Sequence, residues 1–314
     1  MKRKQHHTPR SYLAGFTLEG TVAGMLHVLN LRNGREWKAR PSSAAHRRDY
    51  YRVSGANPDA FEDELGRMEA AAMAVIHETH DSLEVPSGAS LEALLTFVAG
   101  MGARTPPHRD HFNHEEAKFL EVAQDMYAAH PEALEDLKQR TLSGEPHSHS
   151  LEFLQHVSGG KVELSSSWAV ERLRTVAEIT LRFLVRMTWS LVIPRPGCGP
   201  FICSDLAAVL HNPPIGSQWS PPGFGCPDAE FTFPLSCRMV LFGRYGGSSL
   251  KGVADERGMA VMNARTLRYA DEAYSPTEDF MWLTPSGAIG RKADLQDLIA
   301  GDLQRSGDEN GDEE

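Results

Sequence analysis

The segment TWSLVIPRPGCGPFICSD (residues 188–205) decides the fold class, because the chain changes its apolar period here. Before it, apolar residues recur at three- and four-residue intervals, which predicts a helix over about residues 168–187. Within it, two short apolar runs flank a loop of proline and glycine, a pattern typical of two joined strands. Further elements are predicted downstream: a strand pair at AEFTFPLS (229–236) and RMVLFGR (238–244), a helix near 256–269, and a closing strand at EAYSP (272–276).

The first half of the chain predicts a hairpin followed by helices. GMLHVLNL (24–31) and REWKAR (35–40) flank Asn33-Gly34, a dipeptide that adopts the positive φ angles of a tight turn, and DYYRV (49–53) offers another short strand. Caps and prolines predict helix starts at these positions: Asn57-Pro58, Ser90, Thr105-Pro106 and Pro131. Together the elements predict an α+β fold. Its mixed or mainly antiparallel sheet is built from N- and C-terminal segments, and a helical insertion covers about residues 57–187.

Composition predicts one large domain with an acidic end. A chain of 314 residues that is 41% apolar and 24% charged can bury a sizeable core, and we assign a single α+β domain to residues 1–300. GDLQRSGDENGDEE (301–314) carries six acids against Arg305 and predicts a disordered tail. The tail accounts for −5 of the net charge of −10, so the body is also near −5. Such a body argues against broad coating of duplex DNA.

Location and metal binding are predicted from patterns that the chain lacks. No apolar run of secretory length follows the start MKRKQHH, which predicts a cytoplasmic protein without a signal peptide. The longest hydrophobic stretch, residues 176–193, contains a glutamate and two arginines, so no membrane partner is expected. The four cysteines show no CxxC spacing, and the histidines of HETHD (77–81) and HRDHFNHEE (108–116) are spaced by three, so no metal site is predicted. The sequence contains no P-loop or GxGxxG pattern that would identify a nucleotide cofactor, and no GxSxG pattern of an α/β-hydrolase.

The opening KQHHTPRSYLAGF (4–16) contains a concentrated group of polar side chains beside an apolar pattern. Thr8 is predicted to cap a short helix with Pro9 in its first turn. Arg10 would then lie where backbone N–H groups point outward and attract anions. Tyr12 is predicted to face inward. It is also a substrate-binding candidate.

Two adjacent histidines in this segment are the catalytic candidates. His6 or His7 is predicted to line a pocket as a general acid or base, because imidazole titrates near neutrality. Gln5 is a binding candidate beside them. The alternative is that Gln5 and His6 form only local hydrogen bonds that anchor the N-terminus.

RTPPHR (104–109) repeats the pattern of an arginine at a helix start. Two such ends can jointly hold a phosphate or carboxylate, because a guanidinium fork matches these oxyanions. Arg104 and Arg109 are therefore predicted to bind substrate. The alternative for Arg104 is a buried ion pair with an acid such as Asp205 or a contact with a helix C-terminus.

Asp205 follows the apolar strand PFICS, so its carboxylate is predicted to emerge where a strand ends, a common place for reacting groups. The alternative is that Ser204 and Asp205 form a turn or a helix cap. Asn263 either orients a ligand or hydrogen-bonds backbone.

Several of these stretches occur in one order: KQHHTPRSYLAGF, RTPPHR, FICSD, FTFPLS and MNARTLRYADEAYSP. The order resembles the bacterial domain-of-unknown-function family 4238 (DUF4238), whose pattern is similar to Q-H-x-x-P-R-x-Y-L-x-x-F, then R-T-P, S-D-x-P and F-P-L-S. The resemblance spans about residues 4–276 and departs at Leu206-Ala207, where the family usually has a proline. It implies one domain and no established reaction.

Two functions fit these residues. The first is a hydrolase acting on an anionic substrate, for example a phosphodiesterase or a nuclease. In it His6 or His7 transfers protons, Arg10 and Arg104 hold the anion, and Asp205 orients the histidine or a metal. The second is a non-catalytic binding or interaction module built from the same residues, and the sequence names no protein partner. The enzyme requires a histidine and Asp205 within hydrogen-bond reach in an open pocket, and a closed network of buried His6, Arg104 and Asp205 side chains without a cavity would exclude it.

Overall fold

The computed structural model describes residues 4–48, 60–144, 151–159, 166–211 and 223–309. The helices are α1 (Arg10–Ala14), α2 (Ala60–Ser82), α3 (Gly88–Ala103), α4 (Pro106–Ala129), α5 (Pro131–Ser143), α6 (Leu151–Val157), α7 (Ser166–Leu184), α8 (Glu256–Leu267) and α9 (Lys292–Glu309). The strands are β1 (Lys4–His6), β2 (Leu26–Asn30), β3 (Glu36–Ala39), β4 (His46–Arg48), β5 (Thr188–Pro194), β6 (Cys203–Ser204), β7 (Val209–His211), β8 (Glu230–Ser236), β9 (Met239–Arg244), β10 (Lys251–Ala254), β11 (Glu272–Ser275), β12 (Met281–Leu283) and β13 (Ile289–Arg291). Mostly antiparallel sheets and a helical middle region confirm the predicted α+β class.

Two larger sheets hold most of these strands. The five-stranded sheet has the order β10-β5-β9-β8-β7 and is antiparallel except for the pair β10-β5. The four-stranded sheet, β3-β2-β11-β6, joins the N-terminal hairpin to strands from the second half of the chain. Strands β5 and β6, predicted as a joined pair, lie in different sheets. The loop between them passes through Gly197 and Gly199 at positive φ and carries the chain from one sheet to the other.

Turn residues and prolines in the sequence predicted the positions of several elements correctly. The predicted hairpin is present as β2-β3, with Gly34 at a φ of +70° but Asn33 not at positive φ, and α4 and α5 begin at the predicted prolines. The predicted strand at residues 49–53 lies outside the described residues. Helix α9 extends to Glu309 and so includes the first part of the predicted tail, whereas residues 310–314 lie outside the described ranges.

The largest core lies between the five-stranded sheet and helices α1, α2 and α3. Tyr12 stacks on Phe233 with ring centroids 5.3 Å apart and meets the edge of Phe97 at 6.0 Å. Helix α1 is therefore docked into the core, as its apolar pattern predicted. The four cysteines are free thiols. None of the helices in the described ranges has the length and apolar character of a membrane span.

Two glycine substitutions are expected to change stability in opposite directions. A Cβ on Gly243 would lie 2.7 Å from Cζ3 of Trp189, whose Nε1 donates to Leu184 O at 3.1 Å and holds the ring in place. Gly243→Ala is therefore expected to lower the free energy of unfolding by about 1–3 kcal/mol through overpacking. Gly66→Ala, in helix α2 with no atom within 4 Å of the added Cβ, is expected to raise it by about 0.5–1 kcal/mol. Urea denaturation of both variants checks this, and a loss in Gly66→Ala as large as that in Gly243→Ala would contradict it.

Candidate functional site

The opening segment is placed by a strand pair that is non-local in sequence. Strand β1 pairs antiparallel with β4, which sets His6 opposite His46. The ribbon continues as the His7 N–H donates to Ala45 O at 3.1 Å. Gln5, in β1, is fully buried. The pairing brings together the two ends of the segment that contains α1, β2 and β3, and with them His7 and His46.

These histidines open onto a cleft with a volume of about 370 Å³, which we call the acid–base cleft. It lies against the four-stranded sheet, where strands β2 and β11 and the end of β6 provide one wall. The lining residues are His7, Val28, Asn30, Arg32, Trp37, Ser43, Ala44, Ala45, His46, Asp205, Asp271, Glu272 and Tyr274. Ionisable groups from distant parts of the chain therefore share one concave surface, a usual arrangement for binding and catalytic sites.

Asp205 is the most strongly perturbed carboxyl group of this cleft. It is only 3% exposed and follows β6 directly. Its Oδ1 accepts hydrogen bonds from the backbone N–H groups of Asp271 and Glu272, at 3.0 and 3.1 Å. Burial raises its pKa to about 7, although these two hydrogen bonds act in the opposite direction. No described residue donates a hydrogen bond to Oδ2.

The structure shows the turn role that was suggested for Asp205. Through Oδ1 it fixes the backbone that enters β11, as a turn-forming aspartate does. Its side chain also lines the acid–base cleft, and its reactive role stays a prediction. With a pKa near neutrality, it can donate or accept a proton at pH 7.

The cleft contains further charged groups that the sequence did not single out. The Tyr274 hydroxyl, fully buried, donates to Glu272 Oε2 at 2.7 Å, and burial together with Glu272 raises the tyrosine pKa well above its usual value. Arg32 donates from Nε and Nη2 to the two carboxylate oxygens of Asp271, at 2.6 and 2.7 Å. This exposed guanidinium lines the cleft, whereas Arg10 and Arg104 do not.

The two adjacent histidines have different surroundings. His7 is buried and lines the cleft, with Nδ1 3.3 Å from the Thr8 hydroxyl. His6 is half-buried, its Nδ1 lies 3.1 Å from Ala44 O, and its ring lies 5.5 Å from that of His46. His6 is not among the lining residues of the acid–base cleft, whereas His7 and His46 line it together with Asp205.

The start of helix α1 differs from the prediction. Pro9, not Thr8, occupies the N-cap position, and no side chain caps the helix, because the Thr8 hydroxyl is engaged with His7. The helix has only five residues, and Arg10 is exposed at its first turn. Tyr12 is buried in the core and donates its hydroxyl hydrogen to Pro234 O at 2.5 Å. Tyr12 does not line the acid–base cleft, and its contacts are those of a packing residue.

Arg104 lies in the helical region, away from the acid–base cleft. It is 1% exposed, donates from Nη1 to Glu69 Oε1 at 2.8 Å, and lies over the ring of Phe97 at 5.8 Å. Of the two predicted roles, the structure shows the buried ion pair, with Glu69 and not Asp205 as the acid. Arg109 lies in helix α4, but its side chain is outside the described part of the structure.

Asn263 hydrogen-bonds backbone and does not reach the cleft. Its Oδ1 accepts from Ile202 N–H at 3.1 Å, and its Nδ2 donates to Pro200 O and Met281 O at 3.2 and 2.9 Å. These bonds tie helix α8 to the chain before β6 and to β12. Of the two roles suggested for Asn263, the structure shows the structural one.

Among the described residues, no group of three or more histidine, cysteine, aspartate or glutamate side chains is arranged to hold a metal ion. The first part of HRDHFNHEE has side chains outside the described set, and His114 is exposed. His77 and His80 of HETHD are exposed on α2. The acid–base cleft presents imidazole, carboxyl, phenol and guanidinium groups.

Comparison with known proteins gives one match. Residues 4–268 match the model of the family described as protein of unknown function (DUF4238). No curated protein and no solved structure matches the chain. The matched range includes His7, His46 and Asp205, and the departure at Leu206-Ala207 consists of two buried residues that continue the chain after the cleft.

Proposed function

The chain belongs to the family of proteins of unknown function DUF4238, and from that premise we propose that it is a hydrolase acting on an anionic substrate in the acid–base cleft. The proposed substrate class is a phosphodiester, which includes the backbone of nucleic acid. The proposed setting is the cytoplasm of a bacterium, in keeping with four cysteines that are free thiols.

The observation that supports this proposal best is the presence of two imidazoles and a carboxyl group of raised pKa in one cleft. The imidazoles belong to His7 and His46, and the carboxyl group belongs to Asp205. Asp205 has a pKa of about 7, so at neutral pH a substantial fraction of it is protonated. General acid–base catalysis is most effective with groups whose pKa lies near the working pH.

These groups support a balanced hydrolytic step. An imidazole of His7 or His46 takes a proton from water as the water oxygen bonds to phosphorus. The bond from phosphorus to the leaving oxygen breaks, and protonated Asp205 supplies the proton that this oxygen takes up. The imidazolium then returns its proton to solvent and Asp205 is reprotonated, so both groups are regenerated.

Arg32 is the proposed anion-binding residue, in the role that the sequence suggested for Arg10 and Arg104. Its exposed guanidinium lines the cleft, and its fork geometry, already matched to the carboxylate of Asp271, suits a phosphate equally well.

A second candidate function is a non-catalytic binding module. It is favoured by the two hydrogen bonds through which Asp205 Oδ1 fixes the N–H groups of Asp271 and Glu272. Under this proposal His7, Arg32 and Asp205 shape a ligand site, and no bond of the ligand is cleaved.

Hydrolysis assays distinguish the two functions. The wild-type chain is incubated with bis(p-nitrophenyl) phosphate and with single-stranded DNA and RNA, each with Mg²⁺, Mn²⁺, Zn²⁺ or EDTA. We expect turnover of at least one phosphodiester, and His7→Gln is expected to lower kcat/KM by about 10²- to 10⁴-fold, the usual contribution of a general acid or base. Steady-state rates measured at pH 7 check both expectations.

The matched control is His114→Gln, the same change at an exposed position on α4, and it is expected to leave the rate unchanged. Circular dichroism and thermal unfolding establish that the variants are equally folded. Binding of the phosphodiesters without turnover in any metal condition would support the binding module. Equal rates in wild type and His7→Gln would remove His7 from the proposed mechanism.

A further inference from the structure

A second cleft, with a volume of about 460 Å³, lies beside helix α1. It is formed by α1 and the loop after it, by one face of α2, and by the turn between β8 and β9. The lining residues that the ligand would contact include Leu18, Val22, Met73, Ile76, His77 and Arg238. We call it the loop cleft. Its volume is within the range of about 300–1,000 Å³ that is usual for small-molecule sites.

The loop cleft has an apolar floor and an apolar rim. Met73 and Ile76 of α2 and Met239 of β9 line it from below. At the rim, Leu18 and Val22 are 66% and 50% exposed, although connecting loops normally present polar side chains to water. Exposed apolar side chains grouped at the mouth of a cavity mark a surface that a ligand covers.

Basic side chains converge on the same cleft from two other elements. His77 and His80 lie one turn apart on α2, and Arg238 lies in the β8–β9 turn. Neither His77 nor Arg238 has an ion-pair or side-chain hydrogen-bond partner within the described ranges. Glu19, the acid among the lining residues, folds back towards Gly24 of its own loop. The cleft therefore offers an anion the guanidinium of Arg238 and the imidazole of His77, whereas Nδ1 of His80 lies 3.8 Å from Oδ1 of Asp81.

We propose that the loop cleft binds a small anionic amphiphile, a molecule with one carboxylate head and a single apolar chain. The carboxylate contacts Arg238 with His77 beside it, and the apolar chain lies on Met73 and Ile76 beneath Leu18. An amphiphile matches both parts of the lining. A purely apolar molecule would leave Arg238 and His77 without a contact, and a small anion would leave Leu18 exposed to water. The proposal is independent of the hydrolase proposal, because the two clefts share no lining residue.

Isothermal titration calorimetry with decanoate tests the proposal, with decanol and acetate as probes for the chain and the head alone. The full-length protein is expected to bind decanoate about tenfold more tightly than decanol, the effect of one charge-assisted hydrogen bond, and not to bind acetate measurably. Arg238→Gln is expected to weaken decanoate about tenfold and to leave decanol unchanged. Leu18→Asp, at an exposed position that tolerates a polar side chain, is expected to weaken both.

The control is Arg67→Gln, an exposed arginine on α2 outside the loop cleft, which is expected to bind decanoate as the wild type does. Absence of decanoate binding would overturn the proposal, as would binding that neither Arg238→Gln nor Leu18→Asp weakens. Sedimentation with vesicles of anionic phospholipid, without binding of monomeric decanoate, would identify a membrane surface instead and would overturn it too.

Discussion

Replacing Asp205 with asparagine is expected to raise the free energy of unfolding at pH 8 by about 4 kcal/mol. Burial raises the pKa of this carboxyl group from 3.8 to about 7 in the folded protein. As the pH rises from about 4 to 7, the unfolded chain loses the proton and the folded chain retains it. The unfolded state is therefore increasingly favoured over this range, and the stability that the protonated carboxyl group contributes at low pH is lost. Asparagine does not ionise, and its Oδ1 can still accept from the N–H groups of Asp271 and Glu272.

Urea denaturation at pH 4 and pH 8 measures this effect. The gain in Asp205→Asn is expected at pH 8 and is expected to be nearly absent at pH 4, where both states of the wild type are largely protonated. Asp125→Asn, the same change at an exposed site on α4, is expected to change stability by less than about 0.5 kcal/mol at either pH. A destabilised Asp205→Asn at pH 8 would show that the carboxylate is the favoured form in the fold.

Removing the side chain of Asn263 is expected to be strongly destabilising. Asn263→Ala leaves a buried N–H at Ile202 and the carbonyl groups of Pro200 and Met281 without the partner that they have in the wild type. Each buried polar group that loses its partner costs about 1–3 kcal/mol, so a total of about 3–5 kcal/mol is expected. Since these bonds tie α8 to the chain before β6 and to β12, the variant is also expected to unfold less cooperatively.

Asn33→Ala is the matched control, because Asn33 is exposed in the hairpin turn and accepts a single hydrogen bond, from Arg35 N–H. It is expected to lose less than about 1 kcal/mol. Denaturant titrations followed by circular dichroism compare the two variants. Similar losses in both would contradict the tying role of Asn263.

The fold could be predicted from the sequence where short-range chemistry decides it. Asn33-Gly34 and the prolines at positions 106 and 131 act over a few residues. Asn33-Gly34 lies in the connection between β2 and β3, and the two prolines are the first residues of α4 and α5. The division into two sheets could not be predicted in the same way. Whether β6 pairs with β5 or with β11 depends on residues far away along the chain.

The acid–base cleft shows the same division between local and distant signals. Asp205 was identified because it follows an apolar strand, and His7 because it lies in a polar motif. His46 was missed, since only the pairing of β1 with β4 brings it near His7. Glu272 and Tyr274 lie two residues apart in a predicted strand, so the sequence predicts that they share one face of it. Their position beside Asp205 depends on the pairing of β11 with β6, which the sequence does not predict.

Arg104 illustrates how a local motif leaves the partner of a charge open. Its position before Thr105-Pro106 identified a helix start, and α4 begins there. The same position is also the end of α3, where packing against α2 brings Glu69 within 2.8 Å. The ion pair therefore depends on helix packing, which no pattern around residue 104 specifies.

A double-mutant cycle of His7→Gln and Asp205→Asn tests the central claim, that both residues act together in one hydrolytic site. The measured quantity is kcat/KM for the phosphodiester that the wild type hydrolyses best, at pH 7. Residues that serve one proton-transfer step are not additive, so we expect each single variant to lose about 10²- to 10⁴-fold and the double variant to fall no more than about tenfold below the weaker single variant. Losses that multiply in the double variant, or single variants that hydrolyse the substrate at the wild-type rate, would contradict the account.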